Sequence, residues 1–363
     1  MKASSIFFLI SLVAALGACS TGGELRKNFY EETCPEAENI VHNIVWKNAA
    51  LNPTLAAKLL RVHFHDCFVR HVSILLRAAK IYLKQKNYLS AGCDASVLID
   101  STESNSGEKD ALPNETLGGF DVIEEVKTEL EKKCPGIVSC ADIVALAARD
   151  SVSFQFKRTL WEVLTGRRDG RISLASEANR DMPSPFFNFS SLQQSFENNG
   201  LTVHDLVVLS GGHTLGVGRC RFFRDRLYNF TGKGDADPSL NPTYAAFLRT
   251  KCGNVEDNKT AVGMDPGSDL SFDTNYFKIL TQHKGLFQSD AALLTDKGAR
   301  NFVNVLLDSK RFFMEFGLSM KRMGAIGVLT VVDLIRRDDR LRFRIMYWQF
   351  LCIKIHLMLK GRL

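Results

Sequence analysis

The chain has 363 residues, 45% of them hydrophobic and 24% charged, a balance ordinary for a soluble globular protein with a sizeable core rather than a disordered or fibrous one. Its net charge of +6 is local: 71–91 (Arg77, Lys80, Lys84, Lys86, no acid) contributes +4 and 331–363 contributes +5, so the remainder is near −3. Nucleic-acid binding is therefore a poor reading of the charge.

The amino terminus reads as a secretory signal over 1–23: Lys2, an apolar run from Ile6 to Leu16, then small Gly17, Ala18 and Ser20. The run is too short to span a bilayer. Its removal takes Cys19 and leaves Cys34, Cys67, Cys93, Cys134, Cys140, Cys220, Cys252 and Cys352, an even set that favours disulfides outside the cytosol. Glycosylation acceptors at Asn114, Asn188, Asn229 and Asn258 fit the same route.

Spacing of apolar residues predicts helices over Pro35–Ala50, Leu55–Phe68, Gly119–Lys133 and Ser139–Ser151, the last apolar nearly all round. Further helices are expected over Leu192–Asn199, Val203–Ser210, Cys220–Tyr228, Pro242–Lys251, Asn275–Gln282, Asp290–Thr295 and Lys297–Leu318. No alternating run demands a large sheet. The expected fold is mainly α, with minor β and a cleft between an amino-terminal and a carboxy-terminal lobe.

Two motifs carry chemistry. Arg61-Val62-His63-Phe64-His65-Asp66-Cys67-Phe68 puts Arg61 and His65 four apart, on one helix face. A fixed cation beside a neutral imidazole suits removal of a proton from a small neutral molecule while negative charge builds nearby. Leu209-Ser210-Gly211-Gly212-His213-Thr214 sets a lone His among small residues, which lets something large and flat approach. With Gly92-Cys93-Asp94-Ala95-Ser96, these motifs resemble those of the secreted class III haem peroxidases of plants, from about Phe29 to Thr330.

The resemblance implies a two-lobed helical fold over 24–330 (distal lobe about 24–160, proximal about 161–330) with haem b between the lobes. Hydrogen peroxide would be reduced while small phenolic donors are oxidised in one-electron steps. His65 would be the base, Arg61 the fixed charge, and Asn114 the partner holding the His65 tautomer. His213 would be the axial haem ligand and Asp290 its support, with Pro183 and Phe222 at the donor edge. Two calcium ions are implied, one at Asp66, Val69, Gly92, Asp94 and Ser96 with Glu108 as tether. The other would use Thr214, Asp265, Ser268, Ser271 and Asp273. Implied disulfides are Cys34–Cys134, Cys67–Cys93 and Cys220–Cys252. The resemblance also implies a monomer, extracellular in wall or apoplast (the vacuole is an alternative), without stable membrane insertion.

Two segments depart from the family pattern. Residues 71–91 intervene where Cys-Phe-Val-x should run directly into Gly-Cys-Asp, and read as a retained intron, a faulty gene model or an amphipathic docking helix. They widen the Cys67–Cys93 loop and split the distal calcium ligands. In the tail 331–363, Asp339 stands where the last cysteine belongs, which leaves Cys140 to Cys352 or to no partner. The alternative function is accordingly a catalytically impaired haem- or wall-binding protein. A metallohydrolase built on His63-x-His65-Asp66 ranks last, for want of a second His/Asp cluster.

Overall fold

The computed structural model describes residues 25–69, 92–253, 259–328 and 330. The signal at 1–23, the segment 71–91, Asn258, Cys352 and the tail 331–363 lie outside them.

Four helices build the first half: α1 (Ala37–Leu51), α2 (Leu55–Phe68), α3 (Phe120–Lys133) and α4 (Cys140–Ser153). α1 buries Ala37, Val41, Val45 and Ala49 at four-residue spacing, as its periodicity predicts. α4 is the central rod. Every residue from Ala141 to Ser153 is buried, and α1, α2 and α3 all pack on it. Such a helix needs its polar groups satisfied in place. Ser139 caps its amino end, and Asp142 accepts from Tyr30 Oη at 2.6 Å and Arg167 Nη1 at 2.7 Å.

The second half comprises α5 (Ala175–Asp181), α6 (Phe189–Asn198), α7 (Val203–Ser210), α8 (Arg224–Tyr228) and α9 (Pro242–Lys251). It continues with α10 (Asn275–Thr281), α11 (Gln288–Ala292), α12 (Lys297–Val305) and α13 (Ser309–Met323). The described residues hold one two-stranded antiparallel sheet, β1 (Val217–Arg219) on β2 (Ala261–Gly263), with Val217 opposite Gly263. A main core runs through both halves, and a satellite core gathers Phe223, Leu227, Leu248 and Met264 round the Cys220–Cys252 bridge.

The run expected as one helix over Lys297–Leu318 is two. Asp308 interrupts it and accepts from the Arg311 amide at 2.7 Å, starting α13 afresh, because a carboxylate that satisfies free helix-end donors favours a new start over continuation. Cys220–Tyr228 likewise divides into a 3₁₀ turn (Cys220–Phe222) and α8. Both strands are three residues long, too short to leave an alternating trace.

The end of α13 returns to the first half. Arg167 donates to Gly324 O through Nε at 2.9 Å and Nη2 at 2.7 Å, and the Cys93 amide donates to Ile326 O at 3.1 Å. No helix among the described residues is long and apolar enough to cross a membrane.

Candidate active site

α2 carries Ala57, Arg61 and His65 in one four-residue row. His65 is 5% exposed, and its Nδ1 lies 2.6 Å from Asn114 Oδ1. Asn114 is itself oriented, because its Nδ2 donates to Glu108 O at 2.8 Å. An amide oxygen can only accept, so Nδ1 carries the proton and Nε2 keeps its lone pair. That lone pair faces Arg61, whose Nε lies 3.2 Å away. Burial, then the Arg61 charge, hold His65 well below the usual imidazole range against the opposing pull of the Asn114 bond. Arg61 is braced by Thr116 Oγ1 at 2.7 Å and Pro113 O at 2.8 Å. Asn114 is thus buried and committed, which closes its glycosylation tripeptide to a sugar. His63 also faces inward, and burial first and Arg167 second push it down to about 3.

The 3₁₀ turn Gly211–Thr214 presents His213 after α7. His213 Nδ1 lies 2.8 Å from Asp290 Oδ1 on α11, while 40% of its side chain stays exposed. With Nδ1 engaged, Nε2 is the nitrogen left to bind. Burial works to raise Asp290, but His213, the Phe287 amide (2.8 Å) and the Tyr276 hydroxyl (3.0 Å) outweigh it and hold the carboxyl below its usual range. Of the two glycines before His213, Gly211 serves packing, whereas a Cβ on Gly212 would make only ordinary contact with Leu60 at 3.5 Å. A Cβ on Gly211 would meet the Phe312 ring at 2.6 Å and the Phe277 ring at 2.8 Å, so smallness here seats the turn on the aromatic core.

The turn faces α2. A Cβ on Gly216 would lie 3.1 Å from Ala57 Cβ, the first member of the Ala57–Arg61–His65 row. Burial and the Arg219 charge on β1 pull Arg61 down to about 10. Phe222 is half-buried, 6.4 Å between ring centres from Phe287, which is 5.8 Å from His213. Pro183 is half-buried beyond α5, in a stretch bound to α11 by the Ser289 amide donating to Pro185 O at 3.0 Å. Thr116, Arg219 and Tyr276 join this neighbourhood without having been singled out in the sequence. Thr116 left a signal, since it completes the tripeptide that Asn114 heads.

Both expected oxygen clusters assemble. Asp66, Asp94, Ser96 and Glu108 are all buried together. Asp66 Oδ2 accepts from the Ala95 amide at 3.0 Å, whereas its Oδ1 is buried without a hydrogen bond. Burial first, then Asp94 and Glu108, raise Asp66 well above the usual carboxylate range. In the second cluster Thr214 Oγ1 is within 3.2 Å of three acceptors: Asp265 Oδ2 (2.8 Å), Ser271 O (3.2 Å) and Asp273 Oδ1 (3.2 Å). Ser268 Oγ reaches Asp273 at 2.5 Å. One hydroxyl has one proton, so this crowding of hard oxygens fits a cation better than a hydrogen-bond set. The orphan Asp66 Oδ1 fits one equally. No group of three His, Cys, Asp or Glu side chains among the described residues could hold a metal by itself. Hydroxyl and carbonyl oxygens must therefore complete either shell.

The widened loop does not part the distal set. The Gly92 amide donates to Val69 O at 3.1 Å, and Cys67 is bonded to Cys93. Gly92 has φ +88°, and a Cβ there would meet Ile326 O at 2.1 Å, so only glycine fits. The bridges Cys34–Cys134 and Cys220–Cys252 form as well, and Cys140 has no disulfide partner among the described residues, its candidate Cys352 lying outside them. Excising 71–91 is accordingly expected to leave the fold and the peroxide-dependent turnover of guaiacol unchanged, measured as Tm and initial rate. Turnover by the trimmed form alone would instead favour the impaired-protein reading.

The family model described as Peroxidase matches residues 41–309. Peroxidase 24 of Arabidopsis thaliana is 51% identical over 326 residues, covering 88% of this chain and 87% of its own length. Peroxidase 3 and Peroxidase 27 of the same plant are each 48% identical, over 327 and 328 residues, covering 89% and 90% of this chain and 92% and 93% of their own lengths. The chain belongs to the peroxidase family, in its plant class III branch. It is an oxidoreductase of peroxidase type, and the family implies hydrogen peroxide as oxidant, haem and usually calcium.

Proposed function

We propose that the chain is a secreted peroxidase that holds haem b through His213 and oxidises small phenolic donors in one-electron steps. The carrying observation is the pairing across the interior: a neutral, tautomer-fixed His65 beside Arg61 on one side, and His213 backed by Asp290 on the other. His213 fits the haem role because its Nδ1 is engaged, its ring is partly open and a carboxylate strengthens it as a donor. Bound haem supplies the electrons that cleave the oxygen–oxygen bond of the peroxide.

The protein's part is proton handling and charge. His65 Nε2 takes the proton from the peroxide oxygen that is left behind and returns it to the other oxygen, which departs as water. Arg61, cationic at any working pH, stabilises that oxygen as charge builds on it. Asn114 keeps the accepting nitrogen aimed inward. Donors would approach by Pro183 and Phe222. Lignin precursors, suberin phenolics, wall tyrosines and auxin share the chemistry this edge would meet. Calcium at the Asp66 and Thr214 clusters would fix the backbone next to each histidine, since each cluster begins one residue after one of them.

Three disulfides and the signal-like leader support secretion to wall or apoplast. The test is spectroscopic. Haem-loaded protein is expected to show a Soret band that shifts on adding peroxide, and His213→Ala to lose haem retention. A His213→Ala variant with an unaltered haem spectrum would sink the reading.

A further inference from the structure

Asp290 Oδ1 accepts twice, from His213 Nδ1 at 2.8 Å and from the Tyr276 hydroxyl at 3.0 Å, while Oδ2 takes the Phe287 amide at 2.8 Å. Asp290 is 2% exposed and Tyr276 is fully buried, so water does not compete for that oxygen. Two donors on one oxygen share its charge. Each bond that Tyr276 makes weaker or stronger changes how hard Asp290 draws on the His213 proton.

We infer that Tyr276 is a positioning residue that sets the electron-donating strength of His213 by sharing Asp290 Oδ1, and through it the reduction potential of the haem iron. The inference rests on the reading that His213 holds that iron. With the Tyr276 bond present, the carboxylate is a weaker base, the proton stays on His213 Nδ1 and the imidazole keeps neutral character. Without it, Asp290 pulls harder, His213 gains imidazolate character, and the ferric state is favoured. The Tyr276 ring packs edge-on to His213 (5.8 Å) and Phe277 (5.3 Å). Phenylalanine would preserve that packing and remove only the hydroxyl.

The experiment uses the haem-loaded full chain. In Tyr276→Phe, spectroelectrochemical titration is expected to find the ferric/ferrous equilibrium constant for reduction lowered about tenfold, a midpoint more negative by about 59 mV for one electron. The iron–imidazole stretch of the ferrous form should rise in frequency. Site-specific 3-fluorotyrosine at 276, a stronger donor, should move both readouts the opposite way, and it decides the matter if Tyr276→Phe does not load haem. Unchanged midpoint and stretch overturn the inference while leaving His213 as ligand intact. An unaltered spectrum in His213→Ala overturns the ligand reading itself.

Discussion

Replacing His65 with leucine is expected to slow the reaction with hydrogen peroxide by about 10²–10⁴-fold, the usual worth of a positioned general base. Haem retention should be unaffected, since His213 lies on a separate turn. The effect is large because the side chains that hydrogen-bond to His65 offer no second base: Arg61 is a cation, and Asn114 is spent on His65. The pH profile follows from the same burial. Burial and Arg61 hold His65 well below 6.5. The neutral ring is the active form, so lowering the pH from 7 leaves the rate intact until it passes the folded-state value. The acid limb should therefore lie clearly below pH 6.5, and stopped-flow rates across pH 3–8 would find it. An acid limb centred at 6.5, or a His65→Leu rate within a few-fold of the parent, would remove His65 from the role.

Chelating calcium is expected to produce the second large effect, in stability and rate together. Three buried acids, Asp66 at the end of α2 with Asp94 and Glu108 near it, face one another's charge, and Asp265 and Asp273 crowd Thr214 next to His213. A cation that binds only the folded form contributes about 4 kcal/mol per site when its free concentration is 1,000 times Kd. Its removal also unfastens the residue next to each site histidine, so the peroxide rate should fall as Tm falls. Dialysis against EGTA, then calorimetry and stopped-flow before and after adding calcium back, gives the answer. A Tm and rate indifferent to EGTA would mean that the two clusters hold no cation of consequence.

Much of this site was legible because its parts sit on short stretches. Arg61 and His65 share one helix row, and the turn holding His213 interrupts an apolar helix with two glycines. The central helix α4 announced itself by burying nearly every position. Tyr276 was not legible. Its bond to Asp290 joins residues 14 apart on two different helices and leaves no periodic trace. Arg219 was hidden in a three-residue strand. The break at Asp308 was missed because a capping carboxylate looks like any solvated residue of an amphipathic run until its amide partner is seen. The glycines at 211 and 212 were read as clearance for a flat ligand, whereas Gly211 owes its smallness to Phe277 and Phe312.

The closure between Val69 and Gly92 has a consequence for how this gene tolerates change. The two ends of this junction are already clasped by the hydrogen bond from the Gly92 amide to Val69 O and by the Cys67–Cys93 cystine, so the described frame closes without help from the sequence spliced in between. Polymer theory puts the cost of each doubling of a flexible loop at only about 0.6 kcal/mol. Insertion at this junction would thus cost little thermodynamically, and an engineer could graft a reporter or an affinity handle at the same place.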